Sequence, residues 1–545
     1  VWGIYYQGKG GDLREIPDDL QNVVSFASPL ANFESHGSPQ IIADDNLPDT
    51  DSSPDPDIPE QGIAETTVPS QPSITTKPRT GFETQFEFTN DHAWAALKDD
   101  GSVVAWGHPY KGGDTSLVRE QLSSGVKKLF SNGEAFAALK EDGSVVTWGG
   151  YGGDSSAVKD SISSDVINIY STDTAFAALK DDGSVVTWGR IRGGGESPVD
   201  LLKNGVIKIV SGYHEFAALK DDGSVVTWGD IGQVSSTNYA DPTYISHYLK
   251  NDVVDIFATS DAMAALKRDG SVVTWGNRSD GGAPEYTNEK FFNALSSDVK
   301  EIYAFRDSFA VIKNDGSAFG WSDNFGSSII TGPVKSIHSD NDIVVLYELE
   351  DSTFEMYANG NQFKGKFKYL DDEITIEKIF SSKNGIYLSS NEGFVFSPDF
   401  SNSSDPFTFD DSHIHGGSPE NKVKDVYFTY RESVALLEDG SVISLRENGG
   451  VPLLTPSEAE ALSPNDYSEE DIKEIKALAE FTSSGVTKIF TNSNYFAAVK
   501  EDGSSMVWGI YYQGKGGDLR EIPDDLQNVV SFASPLANFE SHGSP

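Results

Sequence analysis

The sequence predicts an all-β fold built from tandem repeats, and three observations lead to that prediction. A unit of about 24 residues, represented by VIKIVSGYHEFAALKDDGSVVTWG at 206–229, recurs between about residue 82 and residue 509. Its turn glycines follow one another at intervals of 40 to 47 residues from Gly101 to Gly316, a period typical of propellers, solenoids and arrays. Each unit combines β-branched runs with a D-G-S turn, which is the pattern of an antiparallel hairpin.

Ten copies of the unit can be aligned, and each is predicted to form about three short strands. Such a sheet cannot bury its faces alone and has to stack on its neighbours. The clear copies lie at 86–107, 126–149, 166–189, 206–229, 253–276 and 486–509. The weaker copies lie at 299–321, 334–357, 376–397 and 423–445.

Two residue types recur once per unit and are predicted to have structural roles. The turn glycine fits the left-handed backbone conformation that a short hairpin needs and that a Cβ would disfavour. The tryptophan at the end of the last strand is expected in the core between neighbouring sheets, not as a stacking platform for sugars or bases. The residues are Gly101, Gly143, Gly183, Gly223, Gly270 and Gly503, with Trp106, Trp148, Trp188, Trp228, Trp275 and Trp508.

The run of a hydrophobic strand, F-A-A-L-K and D-G-S-V-V-T-W-G resembles the bacterial form of the regulator-of-chromosome-condensation repeat over residues 82–509. Similar units occur in giant cell-surface repeat proteins of aquatic bacteria, cyanobacteria among them. The resemblance implies a β-propeller-type repeat array, in a family whose propellers typically have seven blades. One class of that family inhibits β-lactamases by protein–protein contact. Ten three-stranded units exceed seven, so a closed ring, a double ring and an open spiral all remain open.

Variable inserts follow the Trp-Gly end of most units, and they are expected to project from one face of the array, where binding usually evolves. The insert at 455–481 is predicted to be helical. Ser468 with Asp471 resembles a capping box. Apolar residues recur after it at helical spacing, at Ile472, Ile475, Leu478 and Ala479. Such a helix either packs on the array or binds a partner.

The first 39 residues, 1–39, are repeated without a change at 507–545. Packing does not require such identity, because the repeat includes loops. Three explanations fit: tandem modules of a giant protein, an overlap introduced when the sequence was assembled, or a recent terminal duplication. We favour the first. It divides the chain into the end of a preceding module copy at 1–39, an acidic Pro-rich linker at 40–80, the repeat domain at 81–509 and the start of the next copy at 510–545.

The charge of the chain limits its partners. The formal net charge is −43, and phosphate binding needs Lys and Arg, so nucleic acid and anionic membrane surfaces are not expected as partners. No apolar run approaches 18 residues, so no membrane span is predicted in this window. The absence of cysteine excludes disulfides and thiolate metal sites. No cofactor is predicted, and the excess of carboxylates leaves loose Ca²⁺ association open with no residue to name for it.

No catalytic residue is predicted, because the sequence holds no nucleophile elbow, no H-E-x-x-H motif and no phosphate-binding loop. The paired acids of each turn, such as Asp181-Asp182, are expected to serve the turn itself. The chain is therefore predicted to be a non-catalytic structural protein, extracellular or on the cell surface, and a module of a very large fibre or surface layer. It would associate with itself or with neighbouring modules of the same chain.

The first alternative is a propeller-type module that binds a surface protein or a glycan, as adhesins and inhibitors do. Its predicted contact patch lies in the insert after the fourth unit and consists of Tyr239, Tyr244, His247 and Tyr248. The second alternative, which we do not favour, is an enzyme.

Overall fold

Each predicted unit folds into one antiparallel sheet whose main strands lie in chain order. In the computed structural model, unit 4 pairs Val206–Ser211 with Glu215–Lys220, and Glu215–Lys220 in turn with Val225–Gly229. Ten sheets of this type follow one another along the described part of the chain. These sheets confirm the predicted fold class, an all-β array of propeller-type units.

The structure describes residues 23–25, 90, 92–230, 239–240, 246–282, 295–322, 326–330, 332–340, 344–358, 361–369, 372–382, 385–397, 407–409, 414–429, 432–446, 453–463, 467–491, 495–509 and 531–532. All of them fall within one of the two compact parts into which the chain divides, namely Val1–Ala31 together with Gly81–Pro545. The predicted linker at 40–80 lies outside the described residues.

Units 1 to 5 contain strands β1 to β16, and the sheet of unit 1 also takes a strand from the end of the chain. The strands are β1 (Val23–Ser25), β2 (Ala93–Lys98), β3 (Val103–Gly107), β4 (Val126–Ser131), β5 (Ala135–Lys140), β6 (Val145–Gly149), β7 (Val166–Ser171), β8 (Ala175–Lys180), β9 (Val185–Gly189), β10 (Val206–Ser211), β11 (Glu215–Lys220), β12 (Val225–Gly229), β13 (Tyr239–Ala240), β14 (Val253–Ala258), β15 (Ala262–Lys267) and β16 (Val272–Asn277).

Units 6 to 10 contain most of the remaining strands. They are β17 (Val299–Ala304), β18 (Phe309–Lys313), β19 (Ala318–Ser322), β20 (Gly326–Ile330), β21 (Val334–Asp340), β22 (Val344–Leu349), β23 (Phe354–Ala358), β24 (Asn361–Gly365), β27 (Ile376–Ser382), β28 (Gly385–Ser390), β29 (Val395–Phe396), β31 (Ile414–Gly416), β32 (Val423–Phe428), β33 (Ser433–Leu437), β34 (Val442–Arg446), β35 (Val486–Thr491), β36 (Tyr495–Lys500) and β37 (Ser505–Gly509). A small separate sheet holds β25 (Lys368–Tyr369), β26 (Asp372–Glu373) and β30 (Thr408–Phe409), and β38 (Ser531–Phe532) pairs with β2.

Besides the sheet of unit 1, four sheets have one strand more than the three that were predicted. In units 5 to 8 the additional strand pairs with the last strand of the unit, and it is formed by β13, β20, β24 and β31. These strands come from the inserts, which the repeat pattern does not cover. An open edge with free backbone donors and acceptors favours such pairing, and periodicity of the core unit carries no information about it.

A β-bulge sets the register between the first two strands of a unit. In unit 4, Val206 pairs with Lys220, and the next pair joins Lys208 to Leu219, so Ile207 is the extra residue. The same irregularity follows the first pair of every unit. Because successive side chains point to opposite faces, this bulge decides which residues reach the core.

The second strand of a unit is buried on both faces. In unit 2, Ala135, Ala137 and Leu139 pack against unit 3, whereas Phe136 and Ala138 pack against unit 1. The continuous apolar run F-A-A-L, which lacks the alternation of a half-exposed strand, is explained by this double burial. The small alanines allow neighbouring sheets to approach closely.

A backbone hydrogen bond, which we call the turn joint, connects seven of the turn glycines to the next unit. Between units 3 and 4, the amide of Val206 donates to the carbonyl of Gly183 at 2.9 Å. Gly183 has φ +73°, and a Cβ there would lie 2.7 Å from the amide nitrogen of Gly205. Equivalent bonds join Val126 to Gly101, Val166 to Gly143, Val253 to Gly223, Val299 to Gly270, Val334 to Gly316 and Val486 to Gly440. The turn glycine is therefore required both by its backbone conformation and by the lack of space.

Two helices occupy the insert before unit 10, α1 (Pro456–Glu460) and α2 (Glu469–Thr482). Ser468 accepts a hydrogen bond from the amide of Asp471, whose side chain accepts one from the amide of Ser468 in return, which is a capping box. Ile475 and Leu478 of α2 pack in the same apolar cluster as Trp508 of unit 10. In the described residues, no helix has the length and apolarity needed to cross a membrane.

Substitution of two glycines tests the turn joint. Gly125 and Gly143 both have positive φ, but a Cβ on Gly125 meets no atom closer than 3.6 Å, whereas one on Gly143 would lie 2.7 Å from the amide nitrogen of Asp165. Asp165 itself takes the position of Gly125 in unit 3, at φ +65°. We expect Gly125→Ala to lower the free energy of unfolding by roughly 1 kcal/mol and Gly143→Ala by at least about 2 kcal/mol more.

Urea denaturation of the two variants and the unsubstituted chain measures this difference. Gly125→Ala is the matched control, since it introduces the same methyl group at the same sign of φ. Equal losses of stability would show that backbone strain alone accounts for the glycine, and the turn joint would lose its support.

Candidate functional site

The turns between the first and second strands are connected to one another across five units. The amide of Gly133 donates to the carbonyl of Asp173 at 3.1 Å, and the amide of Asp173 donates to the carbonyl of Tyr213 at 3.1 Å. The amide of Tyr213 donates to Ser260 at 2.6 Å, and that of Ser260 donates to Arg306 at 2.7 Å. This ladder of backbone bonds holds the turns of units 2 to 6 in one continuous row.

Buried side chains of these turns hold the neighbouring inserts. In each case a polar group, itself fully buried, donates to a backbone carbonyl of the insert that follows the same unit. The bonds run from Asn132 Nδ2 to Tyr151, from Thr172 Oγ1 to Gly193 and from Thr259 Oγ1 to Asp280, at 2.8, 2.7 and 3.1 Å. The turns and the inserts therefore form one surface, which we call the insert face: turn residues 132–134, 172–174, 212–215, 259–261 and 305–307 with insert residues 108–113, 150–153, 190–195 and 278–282.

The recurring tryptophan connects each insert to the next unit, in a contact that we call the insert joint. The indole N–H of Trp228 donates to the carbonyl of Gly194 at 3.1 Å, and its ring stacks on Phe216 with 5.1 Å between centroids. Gly194 lies flat on the same phenyl ring, since a Cβ there would be 2.6 Å from a ring carbon of Phe216. The same bond joins Trp148 to Gly112, Trp188 to Gly152 and Trp321 to Gly281, at 2.9, 2.9 and 3.0 Å.

Three consecutive inserts present an exposed apolar side chain on the insert face. Tyr110, Tyr151 and Ile191 each stand one to three residues before the glycine that accepts the indole N–H. Their exposed fractions are 82%, 44% and 70%. Because the glycine of each insert is held by the next unit, these side chains are displayed at repeated positions.

Charged groups lie between these apolar side chains. Lys111 forms an ion pair with Glu134, and the guanidinium of Arg190 lies 3.5 Å from the centre of the Tyr151 ring. Burial raises the pKa of Asp173, and the nearby Glu134 carboxylate raises it further. Tyrosine and arginine are residue types that are enriched at protein–protein interfaces.

Glu215 is a buried acid of the insert face. Burial raises the pKa of Glu215 to about 8, and the carboxylates of Asp261, Asp280 and Asp230 contribute to that rise. Its Oε1 has no hydrogen-bond partner among the described residues. At pH 7 the raised pKa favours the protonated form of this side chain. Among the described residues, no three or more His, Asp or Glu form a group that could hold a metal ion.

The structure places the recurring residues as follows. The turn glycines all have positive φ, and the six tryptophans are all buried, with at most 4% exposed. The second acid of each pair caps its own turn. In unit 4 the hydroxyl and the amide of Ser224 donate to Asp222 Oδ1 at 2.6 and 2.9 Å, and these bonds lower the pKa of Asp222.

The predicted contact patch stays a prediction. Tyr244 lies outside the described residues, and only the backbone of Tyr239 is described. The rings of His247 and Tyr248 lie 3.8 Å apart and are exposed. The next residue, Leu249, accepts a hydrogen bond from the amide of Val225, which begins its strand directly after the D-G-S turn. His247 and Tyr248 therefore lie at the end of the sheet opposite to the insert face.

Sequence reasoning did not identify Tyr110, Tyr151 and Ile191. The available signal was an apolar residue shortly before a Gly-rich run in three successive inserts. Since the spacing to the glycine varies from one to three residues, no fixed period marks these positions. Their common placement follows from the insert joint, which is a tertiary contact.

No protein-family model matches this chain, and no curated protein matches its sequence. Solved structures with a similar fold include the CRINKLY WD40 ectodomain of the Arabidopsis thaliana receptor kinase ACR4, at 15% identity and a TM-score of 0.26, covering 44% of this chain and 80% of that one. They also include yeast RCC1 (Prp20), solved with Kap60, at 13% identity and a TM-score of 0.27, covering 88% and 92%. Human WBSCR16 matches at 11% identity and a TM-score of 0.28, covering 83% and 93%.

Similarity at this level carries no argument about function. The fold class rests on the ten sheets described above. A relation to bacterial surface proteins stays a prediction.

Replacement of one tryptophan by phenylalanine tests the insert joint. Trp228→Phe removes the N–H that bonds the Gly194 carbonyl and leaves a buried acceptor without its partner, so we expect a loss of about 1–3 kcal/mol in the free energy of unfolding. Trp275→Phe is the control, because the indole nitrogen of Trp275 has no acceptor within the described part of the chain. Chemical denaturation measures both variants, and an equal loss in the two would argue against the bond.

Glu215 predicts a pH dependence of stability. In the folded chain its pKa is about 8, against an ordinary value of 4.5, so between these values the folded state binds a proton that the unfolded state releases. Stability should therefore fall as pH rises through this window, by at most about 1.4 kcal/mol per pH unit. Glu215→Gln cannot ionise and should lose this part of the dependence. Denaturation curves of both proteins at about pH 5 to 8 test it, and parallel curves would contradict the raised pKa.

Proposed function

We propose that this chain is a non-catalytic binding module that takes a protein partner on the insert face. The observation that carries the proposal is the row of exposed apolar side chains, Tyr110, Tyr151 and Ile191, at repeated positions among charged groups. Exposed side chains of this type are common singly, but a fixed row with tyrosine and arginine is characteristic of contact surfaces.

The rigidity of the insert face supports binding without a large entropy loss. The backbone ladder, the buried Asn132 and Thr172 side chains and the insert joints all hold the backbone from which the apolar side chains project. Ordering of loops on association usually costs affinity, and a preformed surface avoids much of that cost.

The charge of the chain indicates the chemistry of the partner. A formal net charge of −43 attracts a cationic protein and accelerates its association at low ionic strength. The insert face contains the acids Glu134, Asp173 and Asp261 together with the cations Lys111 and Arg190. We therefore propose a partner with an apolar contact region bordered by Lys and Arg.

Affinity capture from the source cells tests this proposal with paired variants. The double substitution Tyr110→Ser and Tyr151→Ser removes two side chains of the insert face. The control, Leu201→Ser and Ile207→Ser, replaces two other exposed apolar side chains. These lie at the opposite end of the sheets, since Leu202 and Val206 both bond to the D-G-S turn end of unit 3.

We expect the insert-face variant to bind the captured partner at least about tenfold more weakly, as loss of central aromatic contacts does. Calorimetry with the purified partner measures the change. Unchanged binding by the insert-face variant, or equal weakening by the control, would refute the insert face as the binding surface.

A second candidate is the structural one, a tandem module of a large extracellular or cell-surface fibre. The identity of 1–39 with 507–545, loops included, favours it, together with the acidic Pro-rich segment at 40–80 that would separate modules. Intact-mass measurement of the native material tests it. A chain many times longer than 545 residues is expected, and a native mass equal to that of 545 residues would exclude it.

A further inference from the structure

The sheet of unit 1 receives its first strand from two places. Strand β2 pairs with β3 through Ala93, Trp94 and Ala95, and its other edge pairs with β1 and also with β38. Ser25 of β1 and Ser531 of β38 both pair with Leu97. Both strands are antiparallel to β2, as a first strand must be.

Both strands follow the register of a first strand. In unit 5, Val253 pairs with Lys267, a bulge follows, and the next pairs are Asp255 with Leu266 and Ile256 with Ala265. The unit 1 sheet repeats this order, because Val23 pairs with Lys98, a bulge follows, Ser25 and Ser531 pair with Leu97, and Phe532 pairs with Ala96. Two segments that lie about 500 residues apart in the chain therefore pair with the edge of β2 in the same register.

The two segments are copies of one sequence. Residues 22–28 and 528–534 both read NVVSFAS, and they belong to the identical stretches 1–39 and 507–545. Paired strands lie about 4.8 Å apart, so a single edge binds only one strand at a given position. The chain therefore holds two equivalent donor strands for one acceptor edge.

The segment directly before β2 is, by its sequence, poorly suited to serve as the first strand of unit 1. Aligned on the turn that Asn90 and Asn132 share, segment 84–89 has Thr84 and Glu87 where unit 2 has the buried Val126 and Leu129. A carboxylate at the second position would be buried without a partner, which is costly.

The duplicated segment meets these requirements. It has valine at the first of the two positions, Val23 or Val529, and phenylalanine at the second, Phe26 or Phe532. Every other unit has an apolar residue at the second position, and in unit 5 this residue is the fully buried Ile256.

We infer that the edge of β2 is a strand-acceptor site whose ligand is the segment NVVSFAS, taken from 22–28 or from 528–534, in the same chain or in a second copy. When one segment fills the edge, the other is a surplus donor. A surplus donor of one copy can complete the unit 1 sheet of another copy, which gives association by strand donation. This inference is independent of any partner on the insert face.

Variants of the two phenylalanines test the inference in the full chain. Phe26→Asp and Phe532→Asp each place a charge at the second of the two apolar positions of one donor and leave the other donor intact. Each single variant should keep the amides of β2 as protected from hydrogen exchange as they are in the unsubstituted chain. The double variant has no competent donor, and exchange in β2 should accelerate at least about tenfold, whereas exchange in β5 of unit 2 stays unchanged.

Two additions to the double variant give a positive signal. A labelled peptide of sequence QNVVSFASP should bind it with 1:1 stoichiometry and restore protection of β2, and the peptide with Phe replaced by Asp should not. Mixing the double variant with the unsubstituted chain should give a 1:1 complex in sedimentation velocity, because only the latter supplies a surplus donor.

The outcomes separate the inference from its alternatives. Loss of protection in one single variant alone would show that only one copy is the donor and would overturn the interchange. Full protection of β2 in the double variant, or failure of the peptide to bind it, would overturn the acceptor site. If the double variant does not fold, the milder pair Phe26→Ala and Phe532→Ala is measured in the same way.

Discussion

The structure depends on a hydrogen bond between the backbones of neighbouring units, the turn joint. The valine that begins a unit donates its amide to the carbonyl of the turn glycine in the unit before, as Val206 does to Gly183. The two backbones are so close that a Cβ on the glycine would overlap with them. Since the bond uses no side chain, it can form where core residues differ, as it does between the weaker units 6 and 7, where Val334 donates to Gly316.

The opposite end of each sheet is organised by side chains, and it carries the variation. The insert joint uses the indole N–H of residues such as Trp228, and the buried Asn132 and Thr172 hold the insert backbone. Between these fixed points the inserts differ in length and sequence. A surface with a fixed backbone and variable side chains is suited to recognition, which is why the candidate site lies here and not at the turn joints.

The bulge after the first valine links the repeat to the ends of the chain. A first strand can be identified by its pairing register alone. Val23 and Ser531 pair in that register, although they are far from unit 1 in sequence. In an array of equivalent sheets, a first strand can come from any segment with the right apolar spacing. Because all units pair their first strand in the same register, a repeat of this kind is suited to strand donation.

The ten units and their hairpins could be predicted from the sequence, because turn glycines and apolar spacing are local signals. It also indicated the helix at Glu469–Thr482 from its cap and spacing. Three features could be found only in the folded structure: which inserts add a fourth strand, the placement of Tyr110, Tyr151 and Ile191 on one face, and the raised pKa of Glu215. These features depend on contacts between units. The contacting residues are far apart in sequence, so no periodic pattern in the sequence reveals them.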